Sequence, residues 1–153
     1  MKNTKLCEQA KLISQDCIAV RVRLLSRIVT NIYDTAMRPY GISLNQASIL
    51  TIIMTTDGAG YGDICRILHM EKSTVSRNIE RMRKKGWIDT TSREDHGATV
   101  VNITTDGERV LEKAHIAWAL AQDEASRYLG RDGVEALMKI SEKFWPKGKP
   151  QEE

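Results

Sequence analysis

Residues 63–85 have the pattern of two short amphipathic helices joined by a tight turn. Apolar side chains at helical spacing predict the first helix over residues 63–68 and the second over residues 72–85. Gly86 then stands where a residue with positive φ is expected after a helix. This is the pattern of a helix-turn-helix motif, whose second helix is shaped to lie in a DNA major groove.

The second helix of this motif carries the side chains best suited to contact DNA. Its start presents short hydrogen-bond donors and one arginine, namely Ser73, Thr74, Ser76 and Arg77. The alternative for the hydroxyls is that they cap backbone N–H groups. Arg77 has no such alternative, so we expect it to contact a phosphate or a base edge, with guanine the favoured base. The end of the helix carries Arg81, Lys84 and Lys85, which are predicted to hold phosphates.

Positive charge is concentrated around this helix. Residues 66–93 contain eight basic and three acidic residues, a net charge of +5, whereas the whole chain has a net charge of +3. A near-neutral protein with one concentrated basic patch is typical of phosphate binding. The alternative for a basic helix considered alone is an ordinary solvated face.

Length and composition restrict the domain organisation and the compartment. The chain has 153 residues, of which 41% are hydrophobic, enough for one core or two small subdomains. Charges within the first ten residues, at Lys2, Lys5 and Glu8, argue against a signal peptide. No stretch approaches the roughly 18 apolar residues of a membrane span. We therefore predict a cytoplasmic protein without membrane association.

The sequence contains no pattern that predicts catalysis or a cofactor. It has no nucleophile–base pairing and no paired carboxylates, and the glycines of residues 58–62 lack the full dinucleotide-binding pattern. Cys65 and His69 have the i, i+4 spacing of two metal ligands, but no second Cys or His pair lies nearby to complete a site. We expect Cys65 to be a small core residue, and we expect neither enzyme activity nor a metal.

The two ends of the chain predict long helices. Apolar residues recur every three or four positions over residues 4–37, which predicts one helix of about 30 residues with a continuous apolar stripe. Part of this stripe is expected to pack against a second copy of the chain, because a small core leaves it without a partner. Two further helices are predicted over residues 105–129 and 132–145, with caps that begin at Thr105 and Asp132.

The segments between these helices complete the predicted fold. Ser43 and Gln46 form a capping box ahead of a short helix over residues 47–54. Two β-prone segments, residues 87–91 and 99–104, predict a hairpin, or wing, whose tip meets the adjacent minor groove. The predicted fold is mainly α, with about six helices and a small β-wing of two to three strands.

This order of elements resembles the MarR family of winged-helix repressors. The resemblance at the level of residues covers residues 41–107 and rests on the segments 41–46, 73–77, 85–88 and 102–107. It implies that residues 4–38 and 105–146 form the dimerisation helices and that residues 43–104 form a DNA-binding lobe. It also implies a small-molecule ligand between these two parts. His115 and Trp118 then belong either to the dimer packing or to the wall of that ligand pocket.

The wing departs from the family pattern. The family usually has Asp-Arg at the wing tip, with the arginine in the minor groove, whereas this chain has Asp95 and His96. We expect His96 or Arg93 to serve the minor groove. Binding through His96 would be weaker or pH-dependent, because a free histidine titrates near pH ~6.5. His69 also replaces the glycine that is common in the motif turn, where a left-handed conformation has a cost.

The resemblance implies a sequence-specific DNA-binding transcriptional regulator, a ligand-responsive repressor that acts as a homodimer on a pseudo-palindromic operator. One alternative is a winged-helix module that binds a protein partner and lacks specific DNA binding. The other is a thiol redox-sensing regulator, since one branch of the family senses peroxide near its N-terminus, where this chain has Cys7 and Cys17. These two cysteines are ten positions apart on one predicted helix, about 15 Å, so a disulfide would have to join two chains.

Overall fold

The computed structural model describes residues 4–92 and 99–144. Within these ranges, six α-helices and a three-stranded antiparallel sheet confirm the predicted mainly α fold with a small β-wing. The elements are α1 (Thr4–Asp16), α2 (Ile18–Met37), α3 (Leu44–Thr55), β1 (Ala59–Gly60), α4 (Tyr61–Leu68), α5 (Lys72–Lys84), β2 (Ile88–Ser92), β3 (Thr99–Ile103) and α6 (Thr105–Ser141).

The first long helix is divided, which corrects the prediction of one helix over residues 4–37. Cys17 has an extended conformation, with φ −70° and ψ 110°, and separates α1 from α2. Backbone hydrogen bonds continue on both sides, from Cys17 N to Ile13 O at 3.1 Å and from Arg21 N to Cys17 O at 3.2 Å. The Arg21 guanidinium also donates to the carbonyl oxygen of Gln15. The break therefore costs few hydrogen bonds and leaves the apolar period intact.

The connection from α2 to α3 is fixed by local hydrogen bonds. A short 3-10 helix (Arg38–Tyr40) follows α2 and ends at Gly41, which has a φ of 71°. The predicted capping box is present, because Ser43 Oγ accepts from Gln46 N while Gln46 Oε1 accepts from Ser43 N. Asp34 Oδ1 adds a further bond by accepting from Leu44 N at 2.7 Å. The start of α3 is thereby held against the end of α2.

The main core lies inside the winged-helix lobe, which comprises α3, α4, α5 and the sheet. Its members come from each of these elements and include Ile49, Leu50, Ile53, Ile64, Val75, Ile79, Met82 and Val101, all at most 1% exposed. The sheet has the order β1-β3-β2, and β2 pairs with β3 from Ile88 opposite Ile103 to Ser92 opposite Thr99. The wing hairpin predicted from the sequence is thus extended by β1, which lies in the glycine-rich turn before α4.

Helix α6 is joined closely to the segment that follows α5. Its cap is Thr104 rather than the predicted Thr105, since Thr104 Oγ1 accepts from Gly107 N at 3.1 Å and donates to Gly86 O at 2.6 Å. A Cβ at Gly107 would overlap the carbonyl oxygen of Trp87, so only glycine fits this approach. The winged-helix lobe and α6 therefore meet backbone to backbone.

Helices α2 and α6 pack against each other along a stripe of small residues. Ala114, Ala117, Ala121 and Ala125 are all buried on α6. Tyr33 Oη donates to Gln122 Oε1, and burial raises the pKa of this tyrosine above its ordinary value. Gly130, with φ 68° and ψ 166°, interrupts α6 close to the predicted boundary between the two C-terminal helices. None of the helices within residues 4–92 and 99–144 is long and apolar enough to cross a membrane.

Candidate nucleic-acid interface

The start of α5 is placed at the surface by the residues that it buries. Val75, Asn78, Ile79 and Met82 face the core. The intervening positions therefore point outward, and Ser73, Ser76 and Arg77 are exposed while Thr74 is half-buried. Arg77 Nε donates to Ser73 O at 3.1 Å, so its guanidinium lies back over the first turn of the helix.

The hydroxyls at this helix start are not used as caps. The residue that precedes the helix in extended conformation is Glu71, and no side-chain cap hydrogen bond is present. The backbone N–H groups of Thr74 and Val75 instead bond to the carbonyl oxygen of Glu71, at 2.9 and 3.1 Å. Ser73 and Ser76 thus present hydroxyls to solvent without a hydrogen-bond partner in the part of the chain that the structure describes.

The turn between α4 and α5 has the left-handed residue that was predicted. His69 has φ 50° and ψ 40° and ends α4, a conformation that glycine adopts at less cost. The turn is closed by two bonds to Cys65 O, from the backbone N–H of His69 and from that of Met70. Cys65 itself is half-buried and packs against the core, as expected for a small residue of the first motif helix.

The basic residues at the end of α5 differ in what they contact. Arg81 is exposed and has no ionic partner among the described residues. Lys84 Nζ lies 3.6 Å from Glu80 Oε1, and the same carboxylate is 3.2 Å from Arg83 Nη2. These pairs are exposed, and such pairs contribute little to stability, about 0–1 kcal/mol each. Arg81 and, at small cost, Lys84 are therefore available to a phosphate.

Lys85 has an intramolecular role that the sequence did not indicate. Its Nζ donates to Gly41 O at 2.8 Å and lies 4.2 Å from the ring centroid of Trp87. Trp87 is 8% exposed, so the ammonium lies over the face of an aromatic ring that is largely buried. Trp87 is near in sequence, but the Gly41 partner is 44 residues away and leaves no local signal. The phosphate role of Lys85 stays a prediction.

Two predicted DNA contacts lie outside the described residues. Arg93 and His96 fall between Ser92, the last residue of β2, and Thr99, the first residue of β3. The expectation that one of them serves the minor groove therefore stays a prediction.

The cysteines are three free thiols in different surroundings. Cys7 is exposed on α1, Cys17 is half-buried at the break between α1 and α2, and Cys65 is half-buried in the lobe. No group of three or more His, Cys, Asp and Glu side chains within residues 4–92 and 99–144 is placed to hold a metal ion.

A cavity of about 540 Å³ lies between the end of α3 and the first turns of α6. It is lined by Met54, Glu108, Leu111, Glu112 and His115. His115 stacks on Trp118, with ring centroids 5.6 Å apart and planes inclined by 13°. Of the two residues predicted for a ligand pocket, His115 thus lines the cavity, whereas Trp118 is not part of the lining and contacts His115 by ring stacking.

Comparison with known proteins agrees with this architecture. The MarR family model matches residues 40–98. The HTH-type transcriptional regulator PrsX of Escherichia coli is 25% identical over 139 residues, which cover 89% of this chain and 81% of PrsX. The uncharacterised HTH-type transcriptional regulator YwoH of Bacillus subtilis is 24% identical over 99 residues, 65% of this chain and 72% of YwoH.

Solved structures share the fold over most of the chain. A mutant of MarR from E. coli, complexed with operator DNA, superposes with a TM-score of 0.76 at 18% identity, covering 88% of this chain and 98% of that one. The regulator MosR of M. tuberculosis, in complex with DNA, gives a TM-score of 0.68 at 26% identity and covers 84% of this chain and 98% of that one.

These relatives are transcriptional regulators and not enzymes, in agreement with the sequence, which has no catalytic pattern. The matched segment begins just before the α3 cap and includes α3, α4, α5 and β2. It also contains the residues on which the resemblance was based, apart from the last segment at 102–107. Through its winged helix-turn-helix region, the chain is therefore similar to the MarR family of transcriptional regulators.

Proposed function

We propose that the chain is a sequence-specific DNA-binding repressor that acts in the cytoplasm as a homodimer and responds to a small ligand. The observation that carries DNA binding is the outward face of α5. Its first turns present Ser73, Ser76 and Arg77 to solvent, and Arg81 continues the same face without an ionic partner in the described part of the chain. Two proteins of the same fold, MarR and MosR, have been solved bound to DNA.

The residues of α5 divide into two kinds of contact. Ser73, Ser76 and Arg77 lie at the helix start, which reaches base edges when such a helix enters a major groove. An arginine there recognises guanine through two hydrogen bonds, to O6 and N7. Arg81 and Lys84 lie one to two turns later and hold phosphates, which fix the position of the protein without reading sequence.

The homodimer is supported by the exposed apolar surface of the terminal helices. No residue of α1 is buried, and Leu12 and Ile13 are each 62% exposed. At the other end, Met138 and Ile140 of α6 are 61% and 60% exposed. An isolated helix of 13 residues is only marginally stable in water. A second copy that covers these helices would supply the missing contacts and pair two recognition helices for a pseudo-palindromic site.

The effector site in this proposal is the cavity beside His115. It lies between α3 of the lobe and α6, and α6 is anchored to Gly86 at the end of the recognition helix through Thr104. A ligand that binds one arrangement of α3 and α6 more tightly than another would shift the position of α5 and hence the affinity for DNA. As a repressor the protein would block a promoter while bound, and its release on ligand binding would relieve the repression.

The test of DNA recognition compares Arg77→Ala with Arg127→Ala. Arg127 is also an exposed arginine, on α6, and it pairs with Asp123. Fluorescence anisotropy is measured with a duplex that the protein binds and with a duplex of scrambled sequence. The two titrations give the DNA affinity and the sequence preference. We expect Arg77→Ala to cost about 1–3 kcal/mol per half-site and to reduce the preference, since each bidentate base contact contributes about that much.

Arg127→Ala should leave both quantities unchanged. A wild-type protein without sequence preference, together with an unchanged affinity for Arg77→Ala, would contradict the proposal and favour the protein-interaction module. A weak salt dependence of binding would point the same way, because phosphate contacts make DNA affinity fall steeply with salt.

A further inference from the structure

A second cavity, of about 740 Å³, lies between the end of α2, the start of α3 and the C-terminal half of α5. We call it the basic cleft. Four cationic side chains line it, Arg38, Arg81, Lys84 and Lys85, with Asp34 as its one carboxylate. Asp34 already accepts a hydrogen bond from Leu44 N at the start of α3. The cleft therefore has an excess of positive charge, and its one carboxylate is engaged in a hydrogen bond that holds the start of α3.

Two of the four cations are unengaged. Neither Arg38 nor Arg81 has a side-chain hydrogen bond or an ion pair with any residue in the ranges 4–92 and 99–144. Lys84 shares Glu80 with Arg83, and Lys85 donates to Gly41 O. Guanidinium groups present paired N–H donors in a plane that matches the oxygens of a phosphate. The cleft thus brings together two available arginines, one from the α2–α3 connection and one from α5.

The recognition in this cleft depends on side chains and not on the N-terminus of α3. The first backbone N–H groups of that helix are largely taken within the protein. Leu44 N donates to Asp34, Gln46 N donates to Ser43 Oγ, and Ala47 N donates to Ser43 O at 2.9 Å. An anion in the cleft would therefore be held mainly by Arg38 and Arg81.

We propose that the basic cleft holds a backbone phosphate of the DNA that lies along α5. The inference rests on the proposed function. Arg81 follows Arg77 by four residues, so it lies one turn further along the same exposed face of α5. The cleft is therefore continuous with the surface that faces the major groove, and a phosphodiester at the edge of that groove is its nearest source of phosphate. Arg38 becomes a DNA-positioning residue outside the helix-turn-helix motif.

The test measures the dependence of DNA affinity on salt for Arg38→Gln and for the control Arg27→Gln. Arg27 is an exposed arginine of α2, eleven residues earlier and outside the cleft. Each phosphate contact contributes about 0.9 to the slope of log affinity against log salt concentration. Arg38→Gln should reduce the slope by about 0.9 per protomer, or about 1.8 for a dimer, on specific and scrambled duplexes alike. Arg27→Gln should leave the slope unchanged.

Equal slopes for the two variants and the wild type would overturn the inference. If the wild type shows no sequence preference but Arg38→Gln still reduces the slope, the cleft is a phosphate site and the proposed sequence-specific function fails. The other possible occupant of the cleft is a free phosphate ion. Calorimetric titration of inorganic phosphate into the DNA-free protein tests whether the cleft binds it. Binding that is lost in Arg38→Gln, combined with an unchanged DNA slope, would assign the cleft to a free anion and refute the DNA contact.

Discussion

At the scale of residues, basic side chains at the two ends of α5 have different roles because they have different contacts within the protein. Arg77 bonds only to the carbonyl oxygen of Ser73 and otherwise faces solvent, whereas Lys85 is held by Gly41 and Trp87. The exposed face of α5 could be predicted from the sequence, because the apolar period fixes which positions are buried. The role of Lys85 and the place of Arg38 in the cleft could not, because both depend on partners distant in the chain.

Gly107 gives a prediction at the same scale. A Cβ at this position would overlap the carbonyl oxygen of Trp87 and lie 2.8 Å from Ile103 Cγ1, and the backbone oxygen cannot move aside. Gly107→Ala should therefore lower the free energy of unfolding by about 1–3 kcal/mol, the usual cost of overpacking. Urea denaturation followed by circular dichroism, at one fixed protein concentration, measures this change.

Gly62→Ala is the matched control for that measurement. A Cβ at Gly62 meets nothing within 4 Å, and the residue lies inside α4. Alanine in a helix is more favourable than glycine, so Gly62→Ala should raise the free energy of unfolding by about 0.5–1 kcal/mol. Equal effects of the two substitutions would show that the contact between Gly107 and Trp87 is not tight in solution.

At the scale of elements, the sequence predicted most helices and both wing strands because each has a local signal. The capping box of α3 and the positive φ of Gly86 are both present. The break at Cys17 could not be predicted, because the apolar side chains keep their three- and four-residue spacing through it. The sequence allows a third strand but does not place it at residues 59–60, since a two-residue strand in a glycine-rich turn is formed only by its pairing with β3.

The contact between the segment that follows α5 and the residue that caps α6 is the element-level feature with most consequence for function. Thr104 bonds to Gly86 O, and its backbone N–H donates to Trp87 O at 3.0 Å. The first residues after the recognition helix are thereby fixed to the start of the helix that packs on α2. We expect a movement of α6 to be transmitted through these bonds to the end of α5, which is the coupling that the proposed ligand response requires.

At the scale of the whole molecule, the proposed function requires a dimer that covers the apolar faces of the terminal helices. Ile13→Asp places a charge on one of these faces, at a residue that is 62% exposed in the single chain. The isolated protomer should tolerate it, whereas the dimer would have to bury the charge twice. We expect the dimer dissociation constant to rise at least about tenfold, as measured by analytical ultracentrifugation.

Met54→Asp serves as the comparison for the dimer experiment. Met54 is also an exposed apolar residue, at 52%, but it belongs to α3 and lines the cavity beside the first turns of α6, so it lies neither on α1 nor on the C-terminal part of α6. This variant should sediment as the wild type does. A wild type that is monomeric at micromolar concentration, or a similar change in both variants, would refute the assignment of the terminal helices to dimerisation.

The central claim, that this molecule reads a DNA sequence as a dimer, is tested most directly by selecting bound sites from random duplex DNA. We expect an enriched pseudo-palindrome with half-site centres about 10–10.5 base pairs apart, the spacing of successive major grooves on one side of the helix. The same selection with Arg77→Ala should lose information at symmetric positions in both half-sites. Recovery of bound DNA with no enriched sequence, or of a single unpaired half-site, would contradict the account.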